Sequence, residues 1–443
     1  IDPNSPTKAS GTQLIASAER WLPDMSSSPF GVHYPQHLSN TSFTDNSRYT
    51  TINFDFSPWY RGPLKDLETV LSSTLDANEG PVANQVAVAK ILKAYFFWHI
   101  TDRWGDVPYS EALKGRDNFT PRYDKQKDIY DSLFLLLDQA NAGIVSGNIK
   151  NDIMFNGDIN KWKRFGNTIH MLMALRLSKV DAIKGAAEFN KAITNGVMGA
   201  NTDNFAYPHL ADAANENYWY NSFTRLGRNW FAVSAPVVDY MQPLNDPRLP
   251  VYANKNTAGN YVGLPYGLPG STTVVINNFS LLGSGIRLQN SPVYLVTYAQ
   301  ALFARAEAAK LGWIAGGDIT AKTNYDLAIQ NSILQWTGST TTVPAYLAQV
   351  GVAYDPLNAI QQIATQRWVH LFLHGYEAWA EWRRTGYPLL TAAPGANGNR
   401  IPRREGYPLI EASNNTVNYN AAIAALPYDG ADDLNARVWW DKP

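Results

Sequence analysis

The sequence predicts a mainly α-helical protein, an α-solenoid scaffold of tetratricopeptide-like helix pairs that carries a large loop-rich insertion. Apolar residues recur at the i, i+3, i+4, i+7 spacing of an amphipathic helix over several long segments. These segments come in neighbouring pairs joined by short turns, as in a helical solenoid. The residues that are diagnostic of a tetratricopeptide repeat match too weakly for the repeats to be counted. The periodicity stops over residues 199–289, where Asn, Gly, Pro, Tyr and Trp are frequent.

Four helices are predicted in the first block of the scaffold, about residues 59–198. The segment 81–102 has a clear apolar stripe and begins near a proline, where a missing N–H costs little. The pattern recurs over 128–142 and 158–180. A shorter helix is expected over 181–198, where glycines mark its end.

Three more helices are predicted in the second block, about residues 290–387. The segment 292–311 is rich in alanine, which indicates close helix–helix packing, and Gly312 provides a C-terminal cap. A helix follows from about Asn324 to Trp336. The last helix, 358–384, is expected to break near Gly375.

The remaining segments are not periodic. The insertion is predicted to contain one short helix at 234–241 and a hairpin strand at 272–276, and the C-terminal segment 388–443 is predicted to be irregular. Loops of this size are uncommon in a compact protein unless they carry a function. Because no convincing linker interrupts the chain, we expect a single domain spanning 1–443.

Composition excludes several classes of protein. The 443 residues include 37 Lys+Arg and 38 Asp+Glu, a net charge of −1, which argues against nucleic acid as a partner. The absence of cysteine excludes disulfides, Cys-ligated zinc, iron–sulfur clusters and thiol catalysis. No apolar run approaches the ~18–20 residues of a membrane-spanning helix. The first residues are polar and turn-prone, so we expect any signal peptide to have been removed.

Catalytic signatures are weak. The sequence has no His-Glu-x-x-His motif, no phosphate-binding loop and no Gly-x-Ser-x-Gly elbow. His370 and His374, with Glu377 one turn on, have a spacing that could hold a metal, but the aromatic residues around them favour packing. Glu377 and Glu381 point the same way, whereas the carboxylates of a glycosidase flank the sugar from separate elements, and Arg383 and Arg384 could neutralise them. We therefore expect no catalytic residue, metal or cofactor.

The most informative feature of the composition is its high content of aromatic residues. They make up 12% of the chain, against only 17% charged residues. Aromatic planes with amide and hydroxyl neighbours suit neutral polar ligands such as sugars, although such rings also serve to pin loops onto a scaffold. The predicted ligand-binding residues all lie in the insertion and are Tyr218, Trp219, Tyr220, Asn221, Trp230, Tyr261 and Tyr266.

Several segments also carry a family resemblance. Residues 94–113 read AYFFWHITDRWGDVPYSEAL, residues 245–249 read NDPRL, residues 375–388 read GYEAWAEWRRTGYP, and residues 438–441 read VWWD. Together with Pro121-Arg-Tyr-Asp124, and in this order along nearly the whole chain, they resemble the SusD/RagB family of outer-membrane nutrient-binding lipoproteins. The C-terminal segments are closest to its SusD-like branch.

The resemblance implies four tetratricopeptide-like helix pairs and a variable ligand face. It also implies a lid over a SusC-like TonB-dependent β-barrel transporter, to which the captured nutrient is delivered. Family members are tethered to the outer leaflet of the outer membrane, facing the exterior, through a lipidated N-terminal cysteine. Since this chain has no cysteine, we expect its anchor to lie upstream of Ile1. No ligand residue carries over by motif.

Three functions remain open from the sequence. The first is a non-catalytic surface protein that captures oligosaccharides for the transporter. The second is a peptide-binding lid of a peptide importer, for which charged partners and an exposed backbone edge would be needed. The third, and weakest, is a glycoside hydrolase that uses Glu377 and Glu381.

Overall fold

The computed structural model describes residues 9–26 and 29–443, and most of its regular structure is helical. Within these residues, the helices of eight or more residues are α1 (Gly11–Glu19), α2 (Lys65–Ser72), α3 (Val82–Trp104), α4 (Gln126–Gly143), α5 (Ile159–Arg176), α6 (Ala182–Asn195), α7 (Tyr298–Lys310), α8 (Gly317–Thr337), α9 (Ala359–His370), α10 (Gly375–Thr385) and α11 (Thr416–Ala424). Shorter α-helical segments are Ser57–Trp59, Tyr218–Tyr220, Ala235–Met241, Leu249–Tyr252, Val343–Leu347 and Glu411–Asn414.

Short strands connect the helices. They are β1 (Leu38–Asn40), β2 (Val107–Pro108), β3 (Tyr123–Asp124), β4 (Phe205–Tyr207), β5 (Phe231–Val233) and β6 (Val293–Val296). All three pairings, β1 with β5, β2 with β3 and β4 with β6, are antiparallel. The strands are too short to form an independent sheet, so the helices carry the architecture.

The helices pack in neighbouring pairs, α3 with α4, α5 with α6, α7 with α8 and α9 with α10. Polar caps fix where several begin. The Asp158 carboxylate accepts hydrogen bonds from the first turn of α5, Asp181 caps α6, and Thr297 forms a capping box with Gln300 at the start of α7. The prediction of a mainly helical scaffold of helix pairs is confirmed.

Most predicted helices are present within a few residues of their expected bounds. The segments 81–102, 128–142, 158–180 and 181–198 correspond to α3, α4, α5 and α6, and the short helix at 234–241 is Ala235–Met241. The break expected near Gly375 is also present, since Leu373, between α9 and α10, has a φ of 69°. Most of these helices were predictable because their apolar residues recur at helical spacing over several turns.

Other predictions were wrong. The segment 292–311 does not begin as a helix, because residues 293–296 pair with β4 as strand β6 and α7 starts only after the Thr297 cap. Helix α8 begins at Gly317, before the predicted start at residue 324. The segment 272–276 forms no strand, and the bridges to β5 and to the residue after it come instead from Leu281 and Leu264. The C-terminal segment contains α11, which its sequence did not predict.

A buried ionic network joins the helix pairs. It consists of seven side chains from α3, α5, α7, α9 and α10, which are Asp102, Arg176, Glu307, Arg367, Glu377, Glu381 and Arg384. All of them are at most 5% exposed. Several partners surround most of the charges in this network, which offsets the cost of burying them, and removing one partner leaves that cost less well compensated.

Arg176 is the centre of this network. Its guanidinium donates to Asp102 at 3.1 Å, to Glu377 at 2.5 Å and also to Glu381. Burial would raise the pKa of Glu381, but Arg367, Arg384 and Arg176 together hold that pKa well below its usual value. Glu377 has Arg176 as its partner, and burial raises its pKa.

Candidate functional site

The backbone of the insertion is organised around β5. On one side β5 pairs with β1 in the register Leu38↔Val233, Ser39↔Ala232 and Asn40↔Phe231. On the other side Ala232 forms an antiparallel bridge with Leu281. Strand β5 is therefore held at both edges, and the residues at its ends have fixed neighbours from distant parts of the chain.

Two aromatic rings meet at the surface where β5 begins. Phe43, three residues after β1, is 53% exposed, and Trp230, just before β5, is half-buried. Their ring centroids lie 5.0 Å apart with the planes at 88°, an edge-to-face pair. The guanidinium of the exposed Arg228 lies 4.5 Å from the Trp230 ring centroid. We call Phe43, Arg228 and Trp230 the aromatic platform.

Hydrogen bonds to the backbone hold the platform in place. The Thr41 amide donates to the Trp230 carbonyl at 2.7 Å, and the Thr41 hydroxyl donates to the Asn229 carbonyl at 2.7 Å. The Asn40 side-chain oxygen accepts from the Phe43 amide at 2.6 Å, which closes the turn that presents the phenylalanine. The backbone that carries the two rings is thus fixed before any ligand arrives, and the rings also contact each other, which lowers the entropy cost of binding.

The structure places the predicted ligand-binding residues on several surfaces. Trp230 belongs to the platform. Trp219 is only 2% exposed and packs edge to face on Phe231 at 5.3 Å and on Tyr218 at 5.0 Å. The half-buried Tyr220 follows it in the same helical segment. Trp219 thus fastens this segment to the core.

Tyr218 and Asn221 line a separate open pocket of about 360 Å³. There the Asn221 amide donates to Glu216 at 2.8 Å, and Glu216 also accepts from Arg225 at 2.5 and 2.6 Å. These hydrogen bonds satisfy most of the polar groups on this wall. The pocket is therefore more polar and more charged than the platform.

Tyr261 and Tyr266, the last two predicted ligand-binding residues, also lie outside the aromatic platform. Tyr261 is half-buried, with the Lys255 ammonium 5.5 Å from its ring centroid. The Tyr266 hydroxyl donates to the His33 carbonyl at 2.5 Å, and its ring lies 6.2 Å from that of Tyr49. Burial raises the pKa of Tyr266 well above its usual value, and a buried hydroxyl of this kind is part of the packing.

Phe43 was missed by the sequence analysis. It lies outside the insertion, and its partner Trp230 is remote in sequence, so periodicity could not connect them. One local signal was available, because a single phenylalanine stands between Asn40-Thr41-Ser42 and Thr44-Asp45-Asn46. A single ring in a polar turn is a weak signal, because isolated exposed hydrophobic residues are common, and it gains weight only from its contact with Trp230.

The residues considered for a metal site or for catalysis lie in the core. His370 is buried between the Thr297 hydroxyl at 2.7 Å and the Ser332 hydroxyl at 2.9 Å. Glu377 and Glu381 belong to the buried ionic network. Among residues 9–26 and 29–443, no group of three His, Asp or Glu side chains is placed to hold a metal ion. No helix in the same ranges has the length and apolar character needed to cross a bilayer.

Comparisons with known proteins agree with this architecture. Residues 3–408 match the SusD-like_2 family, described as starch-binding and associating with the outer membrane. A solved chitin-binding protein shares 29% identity and a TM-score of 0.84, with 98% of each chain covered. A SusD homolog from Bacteroides thetaiotaomicron shares 26% identity at a TM-score of 0.82, covering 98% of this chain and 100% of that one.

At 23% identity, a chitin-binding SusD homolog from Flavobacterium johnsoniae shows the shared fold, with a TM-score of 0.81 and 98% of each chain covered. No curated protein matches the sequence. The family match spans far more than half of the chain. The chain is a member of the SusD-like family of outer-membrane-associated nutrient-binding proteins.

Proposed function

We propose that this protein is a non-catalytic cell-surface protein that captures oligosaccharides on the aromatic platform and delivers them to a SusC-like TonB-dependent transporter. The observation that carries the proposal is the pair of perpendicular rings, Phe43 and Trp230, fixed at the surface by backbone hydrogen bonds. Aromatic rings stack on the CH-rich faces of sugars, and Arg228, whose guanidinium lies over the Trp230 ring, supplies hydrogen-bond donors. The family description and the chitin-binding relative support the same ligand class.

The affinity expected of such a platform is modest. A few stacked sugar rings with a handful of hydrogen bonds give a micromolar dissociation constant, about −8 kcal/mol. Such an affinity suits a protein that must pass its ligand on. It also explains why a shallow surface is sufficient, since a deep enclosed site would slow release.

Replacing Trp230 by alanine is expected to weaken the binding of soluble chito- or malto-oligosaccharides at least about tenfold, because the largest stacking surface is lost. Phe43→Ala should have a smaller effect in the same direction. Binding is measured by calorimetry, and the mixtures are analysed for shortened products afterwards. Phe119→Ala is the matched control, since Phe119 is 78% exposed and lies outside the platform.

Three results would contradict the proposal. Unchanged oligosaccharide affinity in both platform variants would remove the platform as the site, and hydrolysis products would restore the glycoside hydrolase interpretation. Saturable binding of mixed peptides alone would favour the peptide-binding lid. Arg228 would then be the group that recognises a peptide carboxylate, because Arg225 is already neutralised by Glu216.

Attachment to the outer leaflet and the SusC-like partner are proposed on the family resemblance and on the description of the matching family as associated with the outer membrane. A lipid-anchored form is expected to co-purify with its transporter from outer-membrane extracts. Protease treatment of intact cells should remove it, because it is expected to face the exterior. Resistance of the protein to protease in intact cells would contradict this orientation.

A further inference from the structure

A basic pocket lies where the C-terminal segment packs against the end of α10. It encloses about 350 Å³, and no residue of the aromatic platform lines it. Three of its lining residues are arginines, Arg400, Arg403 and Arg437. Asn435 and the ring of Trp382, which belongs to α10, form other parts of its wall. The pocket is therefore a separate surface whose character is set by positive charge.

The backbone that carries these arginines is fixed by hydrogen bonds. The Arg403 amide donates to the Leu434 carbonyl at 2.7 Å. The side-chain amides of Asn397 and Asn435 bond to each other in both directions, at 3.0 and 3.1 Å. The Asp433 carboxylate accepts from the Asn435 amide at 2.7 Å and closes the turn that leads to Arg437. The two parts of the C-terminal segment are thus held together around the pocket.

A single carboxylate pairs with the three arginines within residues 9–26 and 29–443. Asp441 accepts from Arg403 Nε at 2.7 Å and from Arg437 Nη1 at 3.1 Å. The guanidinium of the exposed Arg400 takes part in no hydrogen bond or ion pair with a described residue. The ion pairs therefore leave an excess of positive charge at the pocket.

Two further cations add to this excess. Arg383 is buried behind the pocket, where its Nη1 donates to the Arg403 carbonyl at 2.9 Å, and it forms no ion pair in the described part of the chain. Burial lowers the pKa of Arg383 to about 10, while Asp441 opposes the shift and Arg403 adds to it. Partial burial lowers the pKa of Lys179, and neighbouring arginines act in the same direction. A bound anion would offset the repulsion among these groups.

Several guanidinium N–H groups at the pocket are free to bind a ligand. Arg403 Nη1, Arg437 Nε and Arg437 Nη2 donate to no described residue, and neither do the nitrogens of Arg400. None of these nitrogens is fully enclosed by protein atoms, so a ligand in the pocket can reach them. The planar fork of a guanidinium donates two parallel hydrogen bonds to the oxygens of an anionic group.

The size and the charge of the pocket define the ligand class. Sites for small molecules enclose about 300–1,000 Å³, a range that includes this pocket. We propose that the pocket binds a small acidic ligand, whose carboxylate or sulfate group is held by Arg400, Arg403 and Arg437. A neutral ligand would leave the excess charge uncompensated, so the site favours anions. Only the use of a sugar acid as the first probe rests on the proposed function.

The test uses the whole chain at low ionic strength, with glucuronate, sulfate and the neutral sugar glucose as probes in calorimetry. At least one of the two anions should bind saturably. Arg400→Gln should weaken that binding at least about fivefold, because it removes charge-assisted hydrogen bonds. Arg116→Gln is the matched control, since it removes the same charge at an exposed position outside the pocket, and it should leave the affinity unchanged.

Arg437→Gln is the second variant and should weaken anion binding in the same direction, with folding checked by circular dichroism. The proposal would be overturned if neither anion bound saturably, if Arg400→Gln and Arg116→Gln lost affinity equally, or if glucose bound this pocket as tightly as glucuronate. The double variant Phe43→Ala/Trp230→Ala should retain anion binding, and Arg400→Gln should retain the binding of neutral oligosaccharides. Failure of this site can therefore be distinguished from failure of the platform.

Discussion

Arg176→Met is expected to lower the free energy of unfolding by about 3–5 kcal/mol, because it leaves buried carboxylates without their shared cation. Arg176 is fully buried and contacts Asp102, Glu377 and Glu381, which belong to two different helices. Methionine fills much of the same volume, so the loss of charge dominates the effect. Denaturant unfolding should show a lower midpoint with an unchanged m-value.

Lys127→Met is the matched control for this experiment. Lys127 pairs with Asp131 at 3.2 Å one helical turn away, but its side chain is 53% exposed. An exposed pair of this kind contributes about 0.3–0.5 kcal/mol, so the control should hardly move the midpoint. If Arg176→Met lost no more stability than Lys127→Met, the network would not stabilise the fold.

Acidification from pH 7 to about 4.5 is expected to destabilise the protein steeply, because several histidines are buried in neutral form. Burial lowers the pKa of His33 to about 4 and the pKa values of His37, His370 and His374 to about 3. The ordinary histidine pKa is 6.5. Between that pH and the lower pKa of the folded state, these histidines are protonated in the unfolded chain but neutral in the folded chain. Their contribution to stability is complete above pH 6.5 and is lost as the pH falls towards about 4.

The size of this effect follows from linkage. Each histidine contributes a slope of about 1.4 kcal/mol per pH unit in that window, and four together approach about 5 kcal/mol per pH unit. Glu377 acts in the opposite sense, since burial raises its pKa and its protonation stabilises the folded state as the pH falls. Unfolding midpoints measured from pH 7 to 4.5 give the net proton uptake.

His37→Gln is a suitable variant for this measurement. The His37 ring nitrogen lies 3.1 Å from the Trp368 carbonyl, a contact that a glutamine amide can reproduce. The variant should reduce the proton uptake on unfolding by about one. A wild-type uptake below about one proton would show that the buried histidines do not control acid stability.

The scaffold was largely predictable because helix formation is signalled locally. An apolar stripe such as that of Val82–Trp104 is contained within the helix itself. The segment at 293–296 was mistaken for helix because its strand partner, β4, lies almost ninety residues upstream. Local periodicity cannot identify a partner at that distance.

The site was only partly predictable for the same reason. Trp230 was predicted, but its partner Phe43 comes from the other side of the β1–β5 pairing. The partners of the buried glutamates were also hard to predict, because one of them is remote in sequence. Arg383 and Arg384 were both candidates to neutralise the paired glutamates. Arg384 does pair with Glu381, whereas the Arg383 guanidinium lies 3.7 Å from the Trp379 ring centroid. The cation that reaches both glutamates is Arg176, about 200 residues upstream.

The platform is held by its backbone, so its position does not depend on which side chains it carries. The Thr41 amide bonds to the carbonyl of residue 230, and this backbone contact does not depend on the side chain at that position. Position 43 is likewise held through its own amide. Substitutions at 43 and 230 can therefore exchange one ring for another, or for a polar group, without moving the helices beneath. Under the proposed function, a change of two side chains would alter which nutrient the protein binds while the scaffold stayed the same.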